Sequence, residues 1–224
     1  MVTHELRAPI AAVEQQLTVI LNKMAGEVTA KQEQLLTRAK ERTKGLLNLI
    51  KDLLDLSKIE AGKMVQYKEP LSLQEVIQRV VDLMRTEAEA KKIDLQFSAS
   101  SEIPLISADR NSMEGIFTNL ISNAIKYTPE GRRVWITLSE EGGFVKAAVS
   151  DAGIGIKKED LPRIFDKFYR VKTTETRQII GTGLGLSIVK SIVDAHLGSI
   201  SVESEEGGGA TFTVLFPKES THTT

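Results

Sequence analysis

Residues 119–127 read Asn-Leu-Ile-Ser-Asn-Ala-Ile-Lys-Tyr, a stretch that combines helical spacing of apolar residues with polar side chains on one face. Asp109 stands where a helix N-cap is expected, so we predict a helix over residues 110–127. Asn is a poor helix former, and Asn119 and Asn123 lie one turn apart on this helix. The two Asn side chains indicate a polar ligand beside the helix. The alternative is that they only cap neighbouring backbone groups.

Segments with alternating apolar residues lie on both sides of this helix and predict strands. Glycines at 142–143 and 207–209 mark turns between them. Further helices are expected over residues 72–91, where Ser72 begins a capping box, and over 183–196. The predicted strands cover 93–98, 105–108, 134–138, 144–150, 200–204 and 211–216. Helices among mostly hairpin-linked strands favour an α/β two-layer sandwich, with a mixed sheet and helices on one face.

The N-terminal part of the chain has the pattern of a helical hairpin. Apolar residues recur at helical spacing over residues 4–24 and 30–61, and Gly26 interrupts them. The second segment contains a heptad seam, which Leu47 and Leu54 widen into a stripe; the seam comprises Leu36, Ala39, Thr43, Leu46, Ile50 and Leu53. Two antiparallel helices cannot bury such stripes against each other alone, so we expect two hairpins to pair as a dimeric four-helix bundle.

The expected fold class is therefore α+β, a helical hairpin followed by the sandwich. We predict a hairpin domain over residues 1–62, a linker over 63–71 that contains Pro70, a second domain over 72–218 and a polar tail over 219–224.

Composition excludes several classes of function. Lys and Arg number 29 against 30 Asp and Glu, so a nucleic-acid-binding surface is not expected. The chain has no Cys, which excludes disulfides and thiolate catalysis and suits a reducing cytoplasm. No apolar run approaches the ~18 residues that a membrane-spanning helix needs.

His4 and Glu5 form the first chemically suggestive pair, within Thr3-His4-Glu5-Leu6-Arg7-Ala8-Pro9. Alone, a single His is most simply a surface or capping residue. A neutral imidazole is nevertheless a good nucleophile near neutral pH, and an adjacent carboxylate can accept the proton from its other ring nitrogen.

Two glycine-containing segments follow the predicted helix. Residues 151–156 read Asp-Ala-Gly-Ile-Gly-Ile at the end of a strand, where the carboxylate of Asp151 could accept a hydrogen bond from an adenine amino group. Residues 181–186 read Gly-Thr-Gly-Leu-Gly-Leu and open a helix, where free N–H groups favour phosphate. Each segment alone could be an ordinary turn. Between them, Phe165 and Phe168 could anchor a lid or belong to the core, and Arg170 could reach a terminal phosphate.

In their order along the chain, these five segments resemble the H, N, first glycine, F and second glycine boxes of the sensor histidine kinases. The closing Gly209-Ala-Thr-Phe212 resembles the end of that family's ATP-binding domain. The resemblance runs from His4 to Phe216. It implies a dimerisation and histidine-phosphotransfer hairpin joined to an ATP-binding domain of the type shared with Hsp90, gyrase and MutL.

The resemblance also implies roles for individual residues. His4 matches the phospho-acceptor, Glu5 its neighbouring base, and Asn123 the Mg²⁺ ligand. The other matching residues are contacts to ATP: Asn119, Lys126, Tyr127, Asp151, Gly153, Gly155, Ile156, Arg170, Thr182, Gly183, Leu184, Gly185, Leu186 and Thr211. Ala8 departs from the pattern, because many relatives carry Thr or Asn at that position.

The function so implied is Mg-ATP-dependent autophosphorylation of His4, followed by transfer to an aspartate of a response regulator receiver domain. A homodimer through residues 4–61 is expected. Only three residues precede His4, so we expect a cytoplasmic piece of a longer protein, anchored in the inner membrane through a sensor region outside this chain. Two alternatives stay open: an ATPase or conformational clamp on the same nucleotide fold, and a dimerising pseudokinase scaffold.

Overall fold

The computed structural model describes residues 2–61, 67–171 and 181–219, with side chains for all of these except residues 2–7 and 60. Two helices form the N-terminal hairpin, α1 (Val2–Leu21) and α2 (Ala30–Glu60). A capping box starts α2: the Thr29 hydroxyl accepts the Gln32 N–H at 3.3 Å, and the Thr29 N–H donates to the Gln32 side chain at 2.8 Å. The expected hairpin is therefore present.

The sandwich follows, with helices α3 (Leu73–Ala90), α4 (Arg110–Tyr127) and α5 (Gly185–Ala195). A short 3₁₀ turn covers Leu161–Arg163. The strands are β1 (Glu69–Leu71), β2 (Asp94–Ala99), β3 (Ile106–Ala108), β4 (Arg133–Glu141), β5 (Phe144–Asp151), β6 (Ser199–Glu205) and β7 (Gly209–Pro217). Five of these strands pair in the order β2-β4-β5-β7-β6. Only the β2–β4 pair is parallel, so the sheet is mixed as expected.

Side-chain caps fix where the sandwich helices begin. The Ser72 hydroxyl accepts the Glu75 N–H at 3.3 Å, and the Asp109 carboxylate accepts the Ser112 N–H at 2.7 Å. One face of α3, α4 and α5 then packs on the sheet, and fully buried apolar residues such as Phe117 and Phe216 form a continuous core. The predicted α+β class, with a hairpin followed by a mixed sheet and its helices, is confirmed.

The segment expected as a linker, residues 63–71, ends in a strand. Glu69–Leu71 pairs antiparallel with β3, and Leu71 is 1% exposed because it enters the core. A run of three residues around Pro70 has too little alternation to be recognised from sequence.

Helix α2 contacts the sandwich as well as α1. Leu49, Leu56 and Ile59 recur on one face of α2 and pack against the sandwich core, and α2 also contacts α5. Another face carries Leu46 and Leu53, which remain 45% and 44% exposed. In the part of the chain that the structure describes, no helix has the length and apolar character needed to cross a membrane.

Candidate functional site

A cleft of about 350 Å³ opens where α4, the end of β5, the start of α5 and one face of α2 meet. Most of the predicted site residues line it together. These are Asn119, Asn123, Lys126, Tyr127, Asp151, Gly155, Ile156, Arg170, Thr182, Gly183, Gly185 and Leu186. Helix α2 supplies a wall that the sequence did not predict, through Gly45, Asn48, Lys51 and Asp52.

Helix α4 directs two amide side chains into the cleft. The Asn119 amide nitrogen donates to the Gly115 carbonyl at 3.1 Å, which fixes the side chain along its own helix. Its oxygen lies so close to the start of α5 that a Cβ at Gly185 would stand 2.5 Å from it. Glycine at position 185 is therefore what allows α5 to begin beside Asn119, and Asn123 lies one turn further along the same face.

The C-terminal turn of α4 brings a cation into the cleft. The Lys126 ammonium lies 5.9 Å from the centre of the Tyr127 ring. Burial lowers the pKa of Lys126, Arg170 lowers it further, and Glu87 opposes the shift. Burial also raises the pKa of Tyr127. A cation whose charged form is disfavoured in a partly buried cleft is stabilised by an anionic ligand.

Asp151, the last residue of β5, also lines the cleft and is 7% exposed. Its Oδ1 accepts the Gly153 N–H at 2.8 Å, and the backbone of Ala210 also bonds to the carboxylate. Burial raises the pKa of Asp151, and these two hydrogen bonds oppose the shift. A carboxylate has about four acceptor sites, so capacity remains for a ligand donor.

Close backbone approach explains the glycine beside Asp151. A Cβ at Gly153 would stand 2.5 Å from Asp151 Oδ1 and 2.7 Å from the Tyr127 carbonyl. Gly153 thus supports the carboxylate from behind. It is not among the residues that line the cleft.

Ser204, on β6, holds the loop after Asp151 in place and was not predicted. Its hydroxyl accepts the Ile156 N–H at 2.8 Å and donates to the Gly209 carbonyl at 2.6 Å. A single Ser in an alternating strand gives no sequence signal for this role, since its partners are 48 and 5 residues away.

The glycine-rich segment before α5 is fixed by neighbouring backbone and by Thr182. Gly183 has φ +74°, and its carbonyl accepts the Phe168 N–H at 2.9 Å. The Thr182 hydroxyl accepts the Leu184 N–H at 3.2 Å. Helix α5 then begins at Gly185 with its N-terminus at the cleft, where an anion is stabilised by the free N–H groups.

Two predicted contacts lie elsewhere. Leu184 is fully buried in the core. Thr211 pairs with Ser150, and their hydroxyls are 2.9 Å apart. Side chains alternate along β7, so Ala210 and Phe212 line the cleft while Thr211 points to the opposite face of the sheet. The side chains of Leu184 and Thr211 are therefore not among the residues that line the cleft.

The two Phe residues of the F-box segment have different environments. Phe165 packs partly buried against the core, whereas Phe168 is 59% exposed with φ +63°. The side chains of His4 and Glu5 lie outside the described residues, as does the polar stretch over 172–178; the backbone of His4 and Glu5 belongs to α1.

Residues of the cleft could hold a magnesium ion whose other ligands are water and phosphate oxygens. Among the described residues, no three His, Cys, Asp or Glu side chains gather into a metal-binding group. Mg²⁺ does not need one, because it keeps several waters and takes substrate phosphates as ligands. The hard amide oxygen of Asn123, with Asn119 one turn away in the same cleft, suits such a partly shared site.

A further polar contact joins the cleft to the hairpin. The Thr182 hydroxyl donates to Asp52 Oδ2 at 2.6 Å, across 130 positions of sequence. Burial raises the pKa of Asp52, and the bond from Thr182 and the charge of Lys51 oppose the shift.

Comparison with known proteins agrees with this geometry. The family model "His Kinase A (phospho-acceptor) domain" matches residues 1–62, and "Histidine kinase-, DNA gyrase B-, and HSP90-like ATPase" matches residues 108–220. The circadian input-output histidine kinase CikA of Synechococcus elongatus is 34% identical over 97% of this chain and 29% of its own length. Sensor histidine kinase WalK of Bacillus subtilis is 34% identical over 96% of this chain and 35% of its own length.

Solved structures give the same result. Full-length ShkA in complex with AMPPNP superposes with a TM-score of 0.74 at 30% identity, over 97% of this chain and 45% of that one. Histidine kinase ThkA in complex with the response regulator protein TrrA gives 0.68 at 27% identity, over 96% and 61%. The chain belongs to the sensor histidine kinases of two-component systems. It spans about a third of the length of the two curated relatives named above.

Proposed function

We propose that this chain binds Mg-ATP in the cleft, phosphorylates His4, and passes the phosphoryl group to an aspartate of a response regulator receiver domain. The observation that carries the proposal is the polarity of the cleft. Its lining combines an acceptor carboxylate, Asp151, with the Lys126 cation and the N-terminus of α5. That arrangement suits a ligand with an amino-bearing base and a chain of phosphates.

The proposed chemistry assigns a task to each of these groups. Asp151 accepts from the adenine amino group, while Lys126, Arg170 and the N–H groups at Gly185 hold the phosphates. Asn123 would ligate Mg²⁺, which neutralises phosphate charge when bound. A nitrogen of His4 forms the new N–P bond as the bond from the γ-phosphorus to the ADP oxygen breaks, and Glu5 takes the proton from the other ring nitrogen.

We also propose that residues 4–61 form a homodimer. Over residues 8–59, every described side chain of the hairpin keeps part of its surface accessible to solvent. Val13, Leu46 and Leu53 are among the apolar residues left exposed. A second hairpin would cover them in a four-helix bundle. The same proposal includes a domain division at residues 62 and 72 and a cytoplasmic location.

Incubation with γ-labelled ATP tests this function against its two alternatives. Acid-labile, base-stable label on the protein is expected; free phosphate alone would mean an ATPase, and neither product would mean a scaffold. His4→Ala should take up no label yet bind ATP as the wild type does. Glu5→Gln should slow single-turnover labelling about 100-fold if Glu5 is the base. Acid-labile label on His4→Ala would contradict the assignment.

A further inference from the structure

Helix α2 is a structural part of the cleft as well as of the hairpin. One of its faces bears Leu49, Leu56 and Ile59, which pack against the sandwich core. Asp52 stands among them at helical spacing, where another apolar residue would continue the stripe. Its carboxylate is partly desolvated, which costs free energy that Leu would not. An acidic residue at this position therefore requires an explanation other than packing.

The partner of Asp52 supplies that explanation. The Thr182 hydroxyl donates to Asp52 Oδ2 at 2.6 Å and accepts the Leu184 N–H at 3.2 Å. The hydroxyl is thus fixed by two hydrogen bonds, one to α2 and one to the turn that starts α5. A hydrogen bond to an ionised acceptor at this distance belongs to the stronger kind.

Simple helix geometry places this contact near the phospho-acceptor. Counted from the turn of the hairpin, Leu47 lies as many residues along α2 from Ala30 as His4 lies along α1 from Leu21. In an antiparallel hairpin these two positions lie at about the same level. At a rise of 1.5 Å per residue, Asp52 is only about 8 Å further along the axis. The wall of the cleft formed by α2 is therefore the part of α2 that lies beside the His4 turn.

We propose that Asp52 is a positioning residue for the phosphorylation of His4. Through Thr182, it holds the glycine-rich turn before α5, where phosphates would bind, against the segment of α2 that lies level with His4. Asp52 acts on the placement of ATP relative to the hairpin rather than on the affinity for ATP. The inference rests on the proposed function, since it presumes that His4 is the acceptor.

The test separates the rate of phosphorylation from nucleotide binding, using the whole chain. Asp52→Ala should lower the labelling rate of His4 at saturating ATP about tenfold or more, while the Kd for ATP changes less than about twofold. Asp52→Asn keeps an acceptor oxygen and should stay within about threefold of the wild-type rate. Glu41→Ala, which removes an exposed carboxylate from α2 away from the cleft, is the matched control.

A double-mutant cycle shows whether Asp52 acts through Thr182. Thr182→Val removes the hydroxyl at nearly constant volume, and Asp52→Ala should then slow labelling by less than about twofold further. Thr182→Ser should keep the coupling. Additive losses would overturn the inference, as would an Asp52→Ala rate equal to or above the wild-type rate. If the wild type itself puts no label on His4, the proposed function fails first, and the two failures are thereby distinguished.

Discussion

Asp151 shows how a single carboxylate can be held ready for a ligand at some cost to the fold. Its side chain is buried at the end of a central strand, where the ionised form is disfavoured, and burial raises its pKa. Two backbone N–H groups compensate in part. Residues whose environment costs stability are concentrated at binding sites, and Asp151 follows that tendency.

Asp151→Asn should lose nucleotide affinity by about tenfold or more, because an amide oxygen can occupy the same place without the charge that strengthens the bond. Discrimination between ATP and GTP should fall with it, since in the proposed function the carboxylate accepts from the amino group of adenine. Equilibrium titration with both nucleotides measures this, and Ser150→Ala on the opposite face of the sheet is a suitable control. Wild-type affinity in Asp151→Asn would remove Asp151 from the binding site.

At the scale of elements, the C-terminus of α4 is held by the side chain of the residue that follows α3. The Lys91 ammonium donates to the Ile125 carbonyl at 2.8 Å and to the Lys126 carbonyl at 2.7 Å. These are among the last carbonyls of the helix, which have no partner within it. Burial lowers the pKa of Lys91, and Glu87 opposes the shift. The cap holds the turn that carries Lys126 and Tyr127.

Lys91→Met keeps the length of the side chain and removes both hydrogen bonds, so the free energy of unfolding should fall by about 1–2 kcal/mol. Urea denaturation at neutral pH measures the change. Lys92→Met is the matched control, because Lys92 is exposed and pairs only with exposed Glu130; it should cost at most about 0.5 kcal/mol. Equal losses in the two variants would show that Lys91 has no capping role.

Local sequence signals predicted most of the helices and strands, but they could not predict contacts between residues far apart in the chain. Asp109 and Ser72 mark helix starts because a cap depends on residues only three positions away. The sequence did not predict β1, because its three residues carry no strand pattern of their own and are extended through their pairing with β3. The contact between Asp52 and Thr182 joins residues 130 positions apart, so no local pattern predicts it. Thr211 faces away from the cleft because the register of the strand, and not the residue type, decides which face of the sheet a side chain occupies.

At the scale of the whole molecule, His196 joins the end of α5 to the start of α4. The His196 ring is 3% exposed; its Nδ1 donates to the Ile192 carbonyl at 2.8 Å, and its Nε2 accepts the Asp109 N–H at 3.2 Å. Both bonds together require the neutral ring. Burial lowers the pKa of His196 below its usual 6.5; Lys68 lowers it further, while the Ile192 bond and Asp109 oppose the shift.

This contact predicts a loss of stability in acid. Because the pKa of His196 is lower in the folded state, the unfolded chain binds the proton more readily. The free energy of unfolding should therefore be highest above about pH 6.5, and it should decline as the pH falls from there towards the folded-state pKa. His196→Gln should flatten the decline. Urea unfolding across that range measures it; an unchanged slope in His196→Gln would contradict the prediction.

Strand β7 is the last strand along the described part of the chain but lies inside the sheet, between β5 and β6. It completes the Asp151 pocket, since Ala210 bonds to the carboxylate and Phe212 lines the cleft. During synthesis, therefore, a nascent chain can form the hairpin, whose contacts are local, well before it can hold a nucleotide. If the hairpin dimerises as proposed, a ribosome-bound intermediate would pair with another copy while still inert towards ATP, and a chain released early would join a dimer without contributing an ATP site.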